Sequence, residues 1–398
     1  LNGKGNHNRN IYITSILIIG FSLILNLISG CSENKIEKGA FYTAGTWDIP
    51  PAYHGNPWAP GGVGVAGAYV HEPLFVYIPP SEEYINRLGE SFTESPDHRT
   101  LTVRLKKGVT WHDGEKFTSR DVKTTFEIGY LKGIEIWMNL DKIQCPDDYT
   151  VVFKWHTISP TNTIRALTEP INSPYHIFGE WAEKAPGIRK KRIDLFNQGI
   201  LNSPELSKEE QEVREVLYKY HPELPIGTGA FKIGKVTSSD MLLLKYPQYY
   251  EADNVKFDKI RIMRWVSNEI VWSYLIAGEV DVVSPACPYD VVQQILKKNP
   301  GMSVITPSDL NDFGLIFNCT KAPMSDLRFR RAIAHILDRD MIRQVAYTYG
   351  TTMDDYSIGL PTSVRNKWID DSFLKQLTLY DRSFEKAEKL LTEAGFRR

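Results

Sequence analysis

The stretch Thr100–Phe126, TLTVRLKKGVTWHDGEKFTSRDVKTTF, narrows what this chain can fold into more than any other. Leu101, Val103 and Leu105 alternate with Thr102, Arg104 and Lys106, the period of two that marks a half-buried strand. Lys107-Gly108 turns the chain, and Val109–Trp111 predicts a second short strand closed by the turn dipeptide Asp113-Gly114. Thr118 has an acid three residues on, Asp121, so the pair reads as a capping box that opens a helix. Val122, Thr125, Phe126 and Gly129-Tyr130 would form the inner face of that helix. As a cap alone, Asp121 should contribute roughly 0.5–2 kcal/mol. Strand, return and capped helix make a framework without a catalytic set.

Ahead of it lies a processing segment. Lys4 and Arg9 precede the apolar run Ile11–Ile28, which ends in Ser29-Gly30-Cys31. A basic region, an apolar region and small residues define an export signal. A cysteine directly after the small residues resembles the lipobox of bacterial lipoproteins, which makes Cys31 the lipidated first residue and residues 1–30 the leader. A plain anchor helix is the alternative, since the run is nearly long enough to span a bilayer. Residues 31–39 are then a polar tether between membrane and domain.

In the chain that follows, Phe41–Gly45 predicts the first strand. It runs into a loop, Trp47–Gly61, crowded with proline, glycine and rings. Such a loop is expensive to order unless it has a task; the alternative folds its rings back onto the domain edge. Gly62-x-Gly64-x-x-Gly67 has the spacing of a dinucleotide fingerprint, but prolines precede it and no βαβ pattern follows. Small residues opening a helix through Ala68–Phe75 account for it better. Further on, Thr150–Trp155, Phe231–Ile233, Met241–Tyr246, Lys259–Trp265, Gly278–Val283 and Phe313–Asn318 read as strands. Ser207–Tyr220, Ile270–Ile276, Asp290–Lys298, Leu327–Ile342 and Phe384–Ala394 read as helices.

Several function classes drop out. A net charge of −1 offers nucleic acid no basic field. There is no G-x-S-x-G elbow, no H-E-x-x-H and no Walker A pattern, and the nine histidines are scattered. No cofactor or metal is expected. Cys145, Cys287 and Cys319 have no metal-like spacing and read as small buried residues.

The motifs taken together resemble a family. Val103–Val109, Trp111-His112-Asp113-Gly114 and Thr118–Val122 resemble a recurrent run of the family 5 extracellular solute-binding proteins of ABC importers. In family order follow Tyr69 with Glu72-Pro73-Leu74, Gly227-Thr228-Gly229-Ala230-Phe231, Tyr246 with Tyr249-Tyr250, and Ala277–Asp281. Phe317–Thr320, Arg328–Ala334 with Asp338-Arg339, and Ala387–Phe396 complete the series. The resemblance implies an α/β, two-lobed fold of the periplasmic-binding-protein type. Lobe one would run over residues 40–303, with an inserted subdomain at about 75–224. Residues 304–398 would hold the hinge, near Thr306–Asp312, and the start of lobe two. Family members continue past the Glu393-Ala394-Gly395-Phe396 helix end, so the second lobe is expected to be incomplete here. In peptide binders an acid that pairs the ligand's α-amine would fall in the part beyond.

By the same resemblance the chain is not an enzyme. It captures a peptide or an oligosaccharide between the lobes and hands it to the permease subunits of an importer, as a monomer held to the membrane through Cys31. A peptide-sensing receptor on the same scaffold is an alternative, and a lipid-anchored hydrolase a more distant one. The first-strand loop should enter the cleft, which nominates Trp47, Tyr53 and Trp58, joined by Trp137 from the subdomain. Asp48, Asn56 and Asn311 are the candidate polar contacts. Three rings in one loop lean toward sugar, although the same rings could stack on peptide side chains.

Overall fold

The computed structural model describes residues 37, 39–79, 81–305, 314–346, 356, 358–360, 365 and 367–396. Cys31, with the expected leader, and Asn311, with the expected hinge stretch 306–312, lie outside the described residues.

Strand β1 (Ala40–Gly45) lies parallel to β12 (Lys259–Arg264), with Phe41 beside Ile260 and Thr43 beside Ile262. Parallel neighbours cannot be joined by a tight turn, and here the crossover carries most of the chain. β10 (Phe231–Val236) and β11 (Asp240–Lys245) complete the sheet as an antiparallel meander, in the order β1-β12-β11-β10. Met241, Leu243, Ile260 and Ile262 alternate onto one face, where they bury Val63, Ala66 and Val70.

The chain leaves this sheet layer at Val70 and builds a second one. β5 (Gly89–Glu94), β6 (Thr100–Leu105), β7 (Leu140–Asp147) and β8 (Thr150–Trp155) form an antiparallel sheet in the order β5-β6-β8-β7. As the period of two predicts, Leu101, Val103 and Leu105 are buried while Arg104 is exposed. Helix Ser119–Lys132 packs over this sheet and ends at Gly133, whose φ of 75° is a left-handed cap. Val122, Thr125, Phe126 and Gly129 are buried as expected, but so are Thr124, Glu127 and Ile128, because helices Tyr175–Ala182 and Ala185–Asn197 cover the far side. Arg120 stays exposed and Lys123 and Tyr130 part-buried, so the solvent stripe is narrow, and Glu127, buried between them, takes an ion pair with Arg189 at 2.6 Å.

Two further short pairs tie the parts together. β2 (Glu72–Pro73) pairs with β9 (Pro170–Ile171), and β3 (Phe75–Ile78) pairs with β4 (Glu83–Asn86). The return to the first sheet is a close crossing. Gly229 N–H donates to Val70 O at 2.9 Å, and His112 N–H donates to Gly227 O at 2.9 Å. His112 Nε2–H donates to Gly229 O at 2.9 Å while Nδ1 accepts Gly227 N–H at 3.3 Å, which fixes a neutral ring. Tyr246 O–H donates to Trp111 O at 2.9 Å. Trp111-His112 and Gly227-Thr228-Gly229, far apart in sequence, are therefore two halves of one joint.

Several elements differ from expectation. The helix opened by the glycines stops at Val70, because Pro73 pushes Glu72 into extended backbone. Val109–Trp111 makes a single bridge, Thr110 to Lys116, around the Asp113-Gly114 turn rather than a ladder strand. Gly278–Val283 lies along β1, with Asp281 N–H on Tyr42 O at 2.8 Å, but forms no strand. Residues 314–318 of the expected Phe313–Asn318 strand are unpaired, and Ile316 is 99% exposed. No other strand among the described residues offers that segment a ladder. The long helix Leu327–Ile342 is two helices, Leu327–Ile336 and Arg339–Ala346, since Asp338 accepts Met341 N–H at 2.9 Å and starts the second. None of the three cysteines is fully buried: Cys145 and Cys287 are part-buried and Cys319 is exposed.

The capping box is present and carries more than a cap. Asp121 Oδ2 accepts Thr118 N–H at 2.7 Å, and Oδ1 accepts the N–H of Tyr175, first residue of another helix, also at 2.7 Å. Burial pushes its carboxyl above the usual range, against these two bonds. Asp121→Ala would orphan two part-buried backbone donors, so the expected loss rises to roughly 2–4 kcal/mol. Urea unfolding of the variant measures this; a loss under about 1 kcal/mol would mean that water replaces both bonds.

Candidate functional site

In open α/β sheets a ligand sits beyond the carboxyl ends of the strands. Here the chain beyond the carboxyl end of β1 is the aromatic loop. Its shape is held from within. His54 N–H donates to Gly61 O at 3.2 Å, and His54 Nε2 donates to Pro60 O at 2.6 Å. Its Nδ1 accepts Asn56 N–H at 3.2 Å. Asn56, with no solvent exposure, donates through Nδ2 to Leu217 O at 2.8 Å and Tyr220 O at 3.0 Å. Its Oδ1 accepts Trp58 N–H at 2.9 Å. Both amide protons of Asn56 thus clamp the loop to the end of helix Pro204–Lys219, while its carbonyl oxygen fixes the turn within the loop.

The rings nominated from sequence lie within the protein. Trp47 and Tyr53 join the core under the first sheet, with Trp47 Nε1–H on Thr237 O at 3.0 Å. Tyr53 Oη is buried without a partner among the described residues, and burial holds its phenol well above the usual range. Trp58 packs with Ile128, Phe178 and Leu217, and its Nε1–H donates to Ser173 Oγ at 2.7 Å. Trp137 lies apart from the loop: its Nε1–H donates to Phe126 O at 2.7 Å, and the Arg189 guanidinium covers its face at 3.9 Å. Asp48 is exposed at the loop's edge.

Between the loop and the β2–β9 pair lies a cleft of about 570 Å³. Its wall is proline, alanine, valine and glycine, from Pro57 to Ala68 and from Pro73 and Pro170. His71 and Asn172 supply its polar side chains; no Asp, Glu, Lys or Arg among the described residues lines it. None of the four nominated rings does so either. No sequence pattern marks His71 and Asn172, because only the pairing of two dipeptide strands unites them. Burial and the neighbouring His112 push the His71 pKa down to about 4, and burial raises Glu72 to about 7, beneath the wall. Glu72 Oε1 accepts Tyr249 O–H at 2.7 Å and Tyr250 O–H at 3.2 Å, while Oε2 is buried and unpartnered among the described residues. An uncharged concave wall with a few fixed polar groups is suited to holding a small solute. Among the described residues no three His, Cys, Asp or Glu are grouped to hold a metal, and no helix is long and apolar enough to cross a membrane.

Residues 83–398 match the model of the bacterial extracellular solute-binding proteins, family 5 middle region. The chain belongs to that family. A Brucella ovis protein named for ABC-transporter peptide binding is 26% identical to this family 5 chain over 373 residues, 89% of it and 60% of the relative. A periplasmic oligopeptide-binding protein of an oligopeptide ABC transporter from Thermotoga maritima superposes with a TM-score of 0.67 at 24% identity, covering 90% of this chain and 63% of the other. The same Thermotoga protein with mannohexaose bound gives 0.65 at 22% identity, covering 91% and 63%. The α/β two-lobed fold is therefore that of the periplasmic binding proteins, and the chain spans about 60% of the length of the curated relatives it matches.

Proposed function

We propose that this family 5 protein is the extracytoplasmic substrate-binding component of an ABC importer, and that it binds a peptide rather than turning one over. The observation that carries the reading is the uncharged cleft at the carboxyl end of β1, where a two-lobed binding protein closes on its solute. Trp47, Tyr53 and Trp58 favour sugar only through open ring faces, and those faces are packed in cores. In this reading the three rings and Asn56 shape the wall from behind, Asp48 stands at its rim, and Asn311 contributes from the hinge. Trp137 stiffens the subdomain. The permease subunits are the protein partner, and lipidated Cys31 keeps the monomer at the membrane.

An oligosaccharide is the second reading, supported by the mannohexaose held by the Thermotoga relative. Thermal unfolding of the chain with peptide and oligosaccharide panels separates the two. A ligand at 100 times its Kd should stabilise by about 2.7 kcal/mol. Peptides are expected to shift the transition. A shift with oligosaccharides alone would reverse the order of the readings, and consumption of a bound ligand would replace both with a hydrolase.

A further inference from the structure

The register of two very short strands decides what the cleft offers a ligand. Glu72 pairs with Ile171 and Pro73 with Pro170, and His71 and Asn172 are the next residues on the two chains, just outside that ladder. Extending the antiparallel register by one step sets them across from each other, and both residues line the cleft.

Each is set by hydrogen bonds behind it. An indole can only donate, and Trp58 Nε1–H goes to Ser173 Oγ at 2.7 Å. Ser173, fully buried, then donates its own proton to Asn172 Oδ1 at 2.9 Å. That bond occupies Oδ1 and leaves Asn172 Nδ2, which has no partner among the described residues, to donate into the cleft. His71 is the complement. Ile226 O can only accept and lies 3.3 Å from Nε2, so Nε2 carries the proton. Nδ1 has no partner among the described residues and keeps its lone pair. With its pKa pushed down to about 4 by burial, the ring stays neutral.

We infer that His71 Nδ1 and Asn172 Nδ2 are a paired acceptor and donor that seat one residue of an extended, uncharged peptide main chain. His71 takes that residue's N–H and Asn172 gives to its C=O. In an extended strand these two groups of one residue point to the same side, as in an antiparallel ladder. The pair stands in for a neighbouring strand, and Trp58 is a positioning residue for Asn172. A charged terminus at this point would face prolines and, among the described residues, no counter-charge, which is unfavourable. The inference rests on the importer reading above.

The test is calorimetric titration of the full chain with N-acetyl-tetraalanine amide, which has no charged end, alongside free tetraalanine and mannohexaose. The blocked peptide is expected to bind. His71→Phe and Asn172→Leu should each weaken it tenfold or more, and Trp58→Phe, which keeps a ring but loses the N–H, several-fold. Wild-type affinity in either cleft variant would overturn the pair. Binding of mannohexaose with neither peptide would overturn it while leaving the importer reading intact. Silence toward all three probes would count against the importer reading, and with it this role. The ring ¹⁵N spectrum of His71 in the unliganded chain at neutral pH is independent of any ligand. A pyridine-type Nδ1 is expected; a protonated Nδ1 overturns the pair whatever binds.

Discussion

Gly227→Ala should destabilise the protein by about 3 kcal/mol or more, the upper end for overpacking. A Cβ on Gly227 would sit 1.9 Å from Val70 O and 2.6 Å from Val70 C, and these are backbone atoms without a rotamer to retreat into. Gly229 repeats the problem, with Tyr69 O 2.4 Å away. The chain leaves the first sheet at Val70 and re-enters it here, so any shift that relieves the clash also strains the Gly229 N–H bond to Val70 O and the three bonds of His112. Gly187 is the control: it lies in helix Ala185–Asn197 with nothing within 4 Å of where a methyl would stand, so alanine there should stabilise by roughly 0.5–1 kcal/mol. Urea midpoints for the two variants should therefore move in opposite directions. A Gly227→Ala midpoint within about 1 kcal/mol of wild type would mean that the crossing is loose.

What can be read from the sequence is what local chemistry decides. β6 is legible because burial on one side imposes a period of two, and helix Ser119–Lys132 because Thr118 and Asp121 satisfy the same few backbone groups. Helix Phe384–Glu393 is legible from the spacing of Ala387, Leu390, Leu391 and Ala394 and the stop at Gly395, and in the structure Ser383 accepts Lys386 N–H at its start. Gly278–Val283 and Phe313–Asn318 have strand composition, but a strand exists only where a ladder partner stands, and composition does not report that. The loop from Trp47 to Gly61 is costly to order, as its composition implies: His54 and Asn56 spend their hydrogen bonds on ordering it. The purpose of its rings is not legible. Trp58 faces a core, and its one polar atom reaches the cleft only through Ser173, a residue far along the chain. His71 and Asn172 carry no spacing signature at all, because their meeting depends on the register of β2 with β9.

Glu72→Gln is the second large effect, and its sign depends on pH. Glu72 has a folded pKa of about 7 against an ordinary value of 4.5, because burial penalises its charge more than Tyr249 and Tyr250 support it. A carboxyl raised in this way is protonated in the folded state and ionised in the unfolded state between those values, so folding takes up a proton there. Stability contributed by this site is present below pH 4.5 and is lost as pH rises through 7. A displacement of that size is about 3 kcal/mol. His71 and His112 run the other way: both have pKa values lowered to about 4 from 6.5, so their contribution is present above pH 6.5 and lost as pH falls toward 4. The wild type should accordingly lose stability on both sides of mildly acid pH. Glutamine keeps the carbonyl that the two tyrosines donate to and cannot ionise, and the histidine contributions cancel when variant and wild type are compared at one pH. Glu72→Gln should therefore match wild type within about 1 kcal/mol at pH 5 and exceed it by roughly 1–3 kcal/mol at pH 8. Urea unfolding at both pH values reads the difference directly. An equal offset at the two would show that Glu72 is ionised throughout, its unpartnered oxygen neutralised by Arg87 or Lys106, the two cations that already pull its pKa down.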